Sequence, residues 1–243
     1  MQQIETHSNF NLFESRGWLL LEKVYAATQV QQLCQLLTAL SQSPAEAVRQ
    51  REGAVYAARN VLELCPEILN EWQTQRLKLF IQQVLGPQAG LVRALYFDKP
   101  PEQTWALPWH KDLLIAVAND LHAFGYSKPR LRVGTFHTEP PVTVLEQMLT
   151  LRIHLDAMTP DNGPLEVLTG SHVTGKQLIV QDFKPTTITS AAGDVLAMRP
   201  LLVHSSGRSK PDCDQHRRVL HLEFCGIPNL PEEVIWQNFH PIL

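Results

Sequence analysis

Histidine residues followed two positions later by an acid are the feature of this sequence that could do chemistry. Residues i and i+2 of an extended strand point to the same side, so an imidazole and a carboxylate spaced in this way can bind one metal ion. A second, distant histidine would complete the two-histidine, one-carboxylate arrangement that typically binds non-haem Fe(II). The ten histidines of the chain provide four such pairs: His110–Asp112, His137–Glu139, His154–Asp156 and His221–Glu223.

The position of the first pair favours His110, Asp112 and His204 as the metal ligands. The segment Pro108–Asp112 comes just after a predicted strand and a proline-rich turn, at a rim where a bound metal would stay open to a substrate. His204 lies 94 residues further on, which leaves room for the strands that separate the two halves of a jelly-roll site. We therefore expect these three side chains to meet.

The other pairs are expected to have other roles. Asp156 precedes a turn and is interpreted as a turn or edge carboxylate. His137 lies in a long polar segment and is interpreted as solvated or in contact with substrate. His221 is interpreted as a core histidine or as a partner of the metal ligands.

Arg217 and Arg218 open the last apolar strand, and a buried arginine there could bind a small dicarboxylate in bidentate fashion. Alternate residues of a strand share a face, so Arg217 lies with His221, and Arg218 lies with Leu220 and Phe224. If the second set faces helices outside the sheet, Arg217 points toward the metal. If Leu220 and Phe224 instead fill the interior of the barrel, Arg218 points toward the metal. We prefer Arg217.

The elements that must position these residues indicate a mainly β fold. The first 90 residues are expected to be mainly helical, with helices over 29–42, started by a capping box at Thr28, and over 66–85. Short strands separated by Gly, Pro and Asp turns follow, and they favour a jelly-roll sandwich or barrel over a βαβ fold. The predicted strands are 18–21, 91–97, 145–155, 165–168, 186–189, 195–198, 219–224 and 234–236.

We expect one domain over residues 1–243, with a helical portion over 1–90 and a jelly-roll core over 91–243. Residues 118–144 are long, polar and irregular, which is typical of a lid or a binding loop. This segment offers Lys128, Arg130 and Arg132 near aromatic residues, which could hold an anionic, partly apolar molecule or could simply be solvated.

Composition excludes several classes of protein. The chain has 21 Lys and Arg against 24 Asp and Glu, so it lacks the basic excess of a nucleic-acid binder. No apolar run is long enough to span a bilayer, and the N-terminal residues lack the pattern of a signal peptide. The four scattered cysteines form no CxxC pair and indicate a reducing compartment. We therefore expect a cytoplasmic globular protein whose partners include neither nucleic acid nor a membrane; the oligomeric state is not predicted.

Several short segments, in order along most of the chain, resemble the phytanoyl-CoA dioxygenase family of Fe(II)/2-oxoglutarate oxygenases. They are residues 93–98 (RALYFD), 108–112 (PWHKD), 161–165 (DNGPL), 170–172 (GSH), 204–207 (HSSG) and 217–221 (RRVLH). The resemblance implies a double-stranded β-helix, a jelly-roll or cupin-like barrel, with N-terminal helices packed on its outside.

The resemblance also implies roles for individual residues. His110, Asp112 and His204 match the iron ligands, Arg217 matches the arginine that binds the distal carboxylate of 2-oxoglutarate, and Ser206 matches a serine near that cosubstrate. The cofactors would be Fe(II), 2-oxoglutarate and O2. Lys111 stands where the family often has glutamine, and Arg152 stands where relatives commonly have tryptophan, which suggests an altered wall of the site.

The implied activity is hydroxylation of an unactivated C–H bond of a small molecule, with release of succinate and CO2. Related halogenases replace the ligating carboxylate with a small residue, so Asp112 favours hydroxylation or a variant such as desaturation. Two alternatives remain open: a cupin-like hydrolase or isomerase that does not use 2-oxoglutarate, and a non-catalytic binding barrel. The substrate itself is not predicted.

Overall fold

The computed structural model describes residues 2–40, 48–51, 54–101 and 104–242, and in these ranges the strands form three antiparallel sheets. The first sheet has the order β1 (Trp18–Leu21), β12 (Val195–Met198), β9 (Met148–His154), β14 (Arg217–Cys225), β4 (Gly90–Lys99), β3 (Ala54–Ala58) and β2 (Val48–Arg51), and β15 (His240–Pro241) also pairs with β4. The second contains β11 (Pro185–Ile188), β10 (Leu165–Leu168), β13 (His204–Ser206) and β5 (Leu107–His110). The third contains β6 (Ile115–Val117), β8 (Thr135–Thr138) and β7 (Arg130–Arg132).

Alternation along β14 sets the two faces of the first sheet. Leu220, Leu222 and Phe224 join the apolar cluster formed with the N-terminal helices. Arg217 and His221 point the other way and line a cavity together with residues of the second sheet. The result is a jelly roll of facing sheets rather than a closed barrel, which confirms the predicted fold class.

The helices of the N-terminal part cover the outer face of the first sheet, also as predicted. They are α1 (Gln2–Arg16), α2 (Ala27–Ala39), α3 (Val61–Leu64), α4 (Ile68–Glu71) and α5 (Gln75–Leu85), and a further short helix, α6 (Val142–Glu146), precedes β9. Trp72, just after α4, packs edge-on against Phe224 of β14 with ring centroids 5.1 Å apart. Burying such aromatic pairs holds the helical layer against the sheet.

The helix boundaries differ from those predicted. Helix α2 begins two residues earlier than predicted, because Ala26 rather than Thr28 is its N-cap and the Gln29 side chain accepts a hydrogen bond from the Ala26 amide at 2.9 Å. The predicted end over 41–42 lies outside the described residues. The helix predicted over 66–85 is broken, because the Thr74 hydroxyl caps a new helix by accepting from the Leu77 amide at 3.2 Å.

The strands also differ in places. The segment predicted as one strand over 145–155 is the end of α6 followed by β9, and residues 234–236 form only an isolated bridge, from Trp236 to Val117. The segment 118–144, predicted to be irregular, contains β7 and β8, which are joined through Val133 and Gly134, both at positive φ. Of these differences, the β6–β8 pairing and the Trp236–Val117 bridge join segments that are distant in the chain, which local periodicity does not encode.

The space between the two main sheets is apolar at one end and polar at the other. Met158, Leu165, Val167, Leu196 and Met198 fill the apolar end. The polar end contains all the predicted site residues. Among the described residues, no helix has the length and apolar character needed to cross a bilayer.

Candidate active site

Three ligand-type side chains meet where the second sheet opens. His110 ends β5 and His204 begins β13, and the two residues are direct cross-strand partners with ring centroids 4.2 Å apart. Asp112 follows β5, where its amide donates to the Pro200 carbonyl oxygen at 3.0 Å. Ligand atoms of all three residues lie within 4.8 Å of one another, so one metal ion can contact all of them.

Backbone hydrogen bonds orient both imidazoles toward this meeting point. Nδ1 of His110 lies 2.7 Å from the Pro108 carbonyl oxygen, and Nδ1 of His204 lies 3.0 Å from the Leu202 carbonyl oxygen. A carbonyl can only accept, so each Nδ1 carries the proton and each Nε2 keeps its lone pair. The two Nε2 atoms lie 3.9 Å and 3.6 Å from the Asp112 carboxylate oxygens. Metal-binding histidines are typically held in this way.

The charge states of these groups also suit metal binding. Burial lowers the pKa of His204 to about 4, and Asp112 only partly opposes this effect, so His204 is neutral at physiological pH. Burial by itself would raise the pKa of Asp112, but His204, His221 and His110 together lower it below its ordinary value. Neutral imidazoles and an ionised carboxylate are the forms that bind metals.

Arg217 and Arg218 have different surroundings, and the difference separates the two alternatives left open by the sequence. Arg218 forms a bidentate ion pair with Asp156, at 2.8 Å and 2.7 Å, on the outer side of the sheet. Arg217 is buried, lines the cavity next to the metal-ligand cluster, and has no hydrogen-bond partner for its Nε atom. Burial, together with the nearby Arg152, lowers the pKa of Arg217 to about 9.

Cross-strand pairing in the first sheet brings basic residues of neighbouring strands next to one another on the floor of the cavity. Arg217 of β14 lies opposite Lys99 of β4, and His221, four residues further along, lies opposite Arg152 of β9. Lys99 is almost fully buried, and its ammonium donates to the Gly207 carbonyl oxygen at 2.6 Å. Burial, with smaller effects of Arg217 and Arg152, lowers its pKa to about 7. The sequence analysis missed Lys99, because only the β4–β14 pairing brings it to Arg217.

A chain of polar contacts crosses this floor from β4 to β9. Arg93 Nη1 lies 3.3 Å from Glu223 Oε1, and the same oxygen lies 3.3 Å from His221 Nε2. Arg152 Nη1 donates to His221 Nδ1 at 3.1 Å. In this series of contacts Arg93 neutralises Glu223, whereas Arg152 has no carboxylate partner.

Lys111 fastens the segment between two of the ligand-type residues. Its ammonium donates to the Ser171 and Gly175 carbonyl oxygens at 3.2 Å and 2.6 Å and to the Thr174 hydroxyl at 2.8 Å. The Lys111 side chain therefore ties the segment to the 3-10 turn over Ser171–Thr174.

The remaining predicted residues are distributed around the cavity. Ser206 and His137 line it, whereas Asp156 is engaged by Arg218 and Glu139 forms an ion pair with Lys176 at 3.0 Å. His154 is fully buried between the sheets, with no hydrogen-bond partner for either ring nitrogen. Of the basic residues in segment 118–144, Arg132 lines the main cavity, while Lys128 and Arg130 line a neighbouring one.

Several known proteins are similar to this chain in sequence or in structure. L-proline trans-4-hydroxylase of Streptomyces griseoviridis is 24% identical over 92% of this chain and 87% of its own length. EctD from S. alaskensis, solved with 2-oxoglutarate and 5-hydroxyectoine, superposes with a TM-score of 0.67 at 18% identity, over 95% of this chain and 83% of EctD. The non-haem α-ketoglutarate-dependent epimerase SnoN from nogalamycin biosynthesis gives a TM-score of 0.68 at 14% identity, over 92% of this chain and 81% of SnoN.

The chain spans only half the length of another similar structure, EvdMO1, with a TM-score of 0.66 at 20% identity over 90% of this chain. At these identities the structural similarities show the fold. The family follows from the sequence, because the model of the family described as phytanoyl-CoA dioxygenase matches residues 13–218, most of the chain. The chain therefore belongs to the phytanoyl-CoA dioxygenase family of Fe(II)/2-oxoglutarate-dependent oxygenases.

Proposed function

We propose that this enzyme hydroxylates an unactivated C–H bond of a small molecule, with His110, Asp112 and His204 as ligands of Fe(II). Arg217 would bind the distal carboxylate of 2-oxoglutarate, with Ser206 and Lys99 beside it. The observation that carries the proposal is the convergence of three ligand atoms within 4.8 Å, next to a cavity that Arg217 lines.

Unpartnered polar atoms around the cavity support the fit of a metal and a dicarboxylate. Asp112 Oδ2 and the Nε atoms of Arg152 and Arg217 are buried without a hydrogen-bond partner. Leaving such atoms unpaired costs about 1–3 kcal/mol each, so they are typically paired by a ligand, an ion or water. A divalent cation would pair with the carboxylate, and a dianion would pair with the guanidinium of Arg217.

When bound, Fe(II) with 2-oxoglutarate and O2 supplies the oxidation, and succinate and CO2 are released. The residues of this chain hold and orient the reactants. Nδ1 of each histidine is held by a backbone carbonyl, which keeps Nε2 directed at the ion. Asp112 would supply the carboxylate that related halogenases replace with a small residue, and its presence favours hydroxylation. The apolar end of the sandwich excludes water from the side of the site away from the cavity.

The names of relatives support this reaction type, because L-proline trans-4-hydroxylase is a hydroxylase. SnoN is named an epimerase, so the fold also accommodates other oxidative outcomes. Product analysis is therefore part of the test.

The experiment combines binding and turnover. We expect the anaerobic protein to bind one equivalent of Fe(II), to show a visible charge-transfer band when 2-oxoglutarate is added, and to release succinate in air. Activity that persists in Arg217→Gln without 2-oxoglutarate would instead support a cupin-like hydrolase or isomerase. Failure to bind Fe(II) would support a non-catalytic barrel.

A further inference from the structure

Arginine side chains make up most of the charged lining of the cavity. Five arginines line it: Arg59, Arg93, Arg132, Arg152 and Arg217. In the described part of the chain, Asp112 and Glu223 are the only carboxylates that line it. Lys111 also contributes to the lining, but its ammonium is held by the 3-10 turn. Arg93 is paired with Glu223, Arg217 would be paired with 2-oxoglutarate, and Asp112 would be paired with Fe(II), which leaves Arg152 without a carboxylate partner.

The two most buried of these arginines lie at different levels of the floor. Arg152 pairs across strands with His221, which is four residues from Arg217 along β14. Four residues of a strand span about 13 Å, so the two arginine backbones are separated along the sheet by about that distance. Arg152 and Arg217 nevertheless line the same cavity as His110, Asp112 and His204. The two arginines can therefore contact different ligands, or different groups of one ligand, bound in that cavity.

Arg152 is a buried cation without its own anion. The residue is 9% exposed, its Nη1 donates to Nδ1 of His221, and its Nε has no hydrogen-bond partner. Glu223 is already paired with Arg93. The remaining carboxylate nearby is Asp112, whose charge the proposed metal would take. An uncompensated charge in this position is costly, so an anionic ligand is expected to pair with it.

Resting on the proposed function, we propose that the substrate is a small organic anion whose carboxylate pairs with Arg152 next to the metal ligands. The cavity volume of about 250 Å³ suits a small molecule. Arg93 and His137 extend the same side of the cavity and would contact the rest of the substrate.

The competing assignment is that Arg152 pairs with the metal-proximal carboxylate of 2-oxoglutarate. The two assignments differ in which ligand loses affinity when the charge is removed. Under the substrate assignment, Arg152→Gln leaves the affinity for 2-oxoglutarate within about 3-fold of wild type. Under the competing one, it weakens 2-oxoglutarate binding instead, and that result would overturn the proposal.

The test is calorimetric titration of the anaerobic Fe(II)–2-oxoglutarate complex with small carboxylic acids, each compared with its primary amide. The panel starts with L-proline and benzoate against L-prolinamide and benzamide and continues over acids of similar size. Formation of the charge-transfer band before each titration shows that metal and cosubstrate are bound, so a failure of the proposed function is seen separately. We expect at least one acid to bind about 30-fold more tightly than its amide. If no acid binds more tightly than its amide, the proposal is wrong.

Substitutions at Arg152 and Arg218 test which residue causes the preference for the acid over its amide. Arg152→Gln should remove the preference for the acid, Arg152→Lys should retain part of it, and Arg218→Gln should leave it unchanged, because Arg218 lies on the outer side of the sheet. Thermal unfolding of each variant shows whether it is folded. If Arg152→Gln is folded and keeps the full preference, another residue binds the anion and the proposal is overturned.

Discussion

Arg217 and Arg218 are neighbours in sequence, yet one lines the cavity and the other is bound by Asp156 on the opposite face of the same strand. This pair provides a matched test of the proposed 2-oxoglutarate site. The two substitutions remove the same group from adjacent positions, so nonspecific effects on β14 are shared.

We expect Arg217→Gln to weaken 2-oxoglutarate binding by about 30- to 1000-fold, because it removes a buried charged partner worth about 2–4 kcal/mol. Arg218→Gln should leave this affinity unchanged and lower the free energy of unfolding by less than about 1 kcal/mol, since its ion pair is partly exposed. Titration of the anaerobic Fe(II) protein with 2-oxoglutarate measures the first effect, and urea unfolding measures the second. Equal losses of affinity in both variants would contradict the assignment of Arg217.

Metal binding provides the second prediction. Wild-type protein should be stabilised by a divalent metal, by about 2.7 kcal/mol when the free metal is 100 times the dissociation constant, and chelation should reverse the effect. His110→Ala, Asp112→Ala and His204→Ala should lose this stabilisation. The measurement is the melting temperature with and without metal.

His216→Ala is the control for these variants, because His216 pairs with Asp98 at 3.0 Å and lies outside the cavity. It should keep the full metal-dependent shift. A normal shift in His204→Ala would remove that residue from the proposed ligand set.

The sequence predicted those parts of the site that depend on local patterns. The spacing of two residues between His110 and Asp112 predicted that both would lie on one side; in the structure β5 ends at His110, and the hydrogen bond from the Asp112 amide to Pro200 holds Asp112 just beyond it. Alternation separated Arg217 from Arg218 but left both as alternatives, with Arg217 preferred; the packing of the other face of β14 against the helices shows which arginine lines the cavity. His204 was found from its order in the chain and from the family resemblance rather than from spacing.

The remainder depends on pairing between distant strands. Lys99 reaches Arg217, and Arg152 reaches His221, only through the register of β14 with β4 and β9. Similarly, β8 pairs with β6, which is distant in the chain, and β7 pairs with β8 at the edge of the same sheet. A polar segment without strong alternation gives no sign of such a sheet.

Lys99 should make the stability of the metal-free protein depend on pH. Burial lowers its pKa from 10.5 to about 7, so between these values the unfolded chain binds more protons than the folded chain. The free energy of unfolding should therefore rise with pH between about pH 7 and pH 10.5. The buried ammonium destabilises the folded protein most below pH 7, where it is fully charged.

Lys99→Met lacks this titration, so the difference in stability between wild type and Lys99→Met should change in favour of wild type from pH 7 to pH 10. Urea unfolding of both proteins at several pH values measures the difference. If the unfolding free energies of the two proteins change with pH in the same way, burial does not lower the pKa of Lys99.

Lys111 provides the last prediction, because its ammonium connects the segment between His110 and Asp112 to the 3-10 turn. Lys111→Met keeps the length of the side chain but leaves the Ser171 and Gly175 carbonyl oxygens without their donor. We expect a loss of about 2–4 kcal/mol in the free energy of unfolding, together with weaker Fe(II) binding. The unfolding free energy of Lys111→Gln should fall between those of wild type and Lys111→Met, since the glutamine amide can still donate a hydrogen bond.

Lys176→Met is the matched control: it removes a more exposed lysine ion pair near the same turn and should cost less than about 1 kcal/mol. If Lys111→Met and Lys176→Met are equally stable and bind Fe(II) equally well, the three hydrogen bonds of Lys111 do not position the metal ligands.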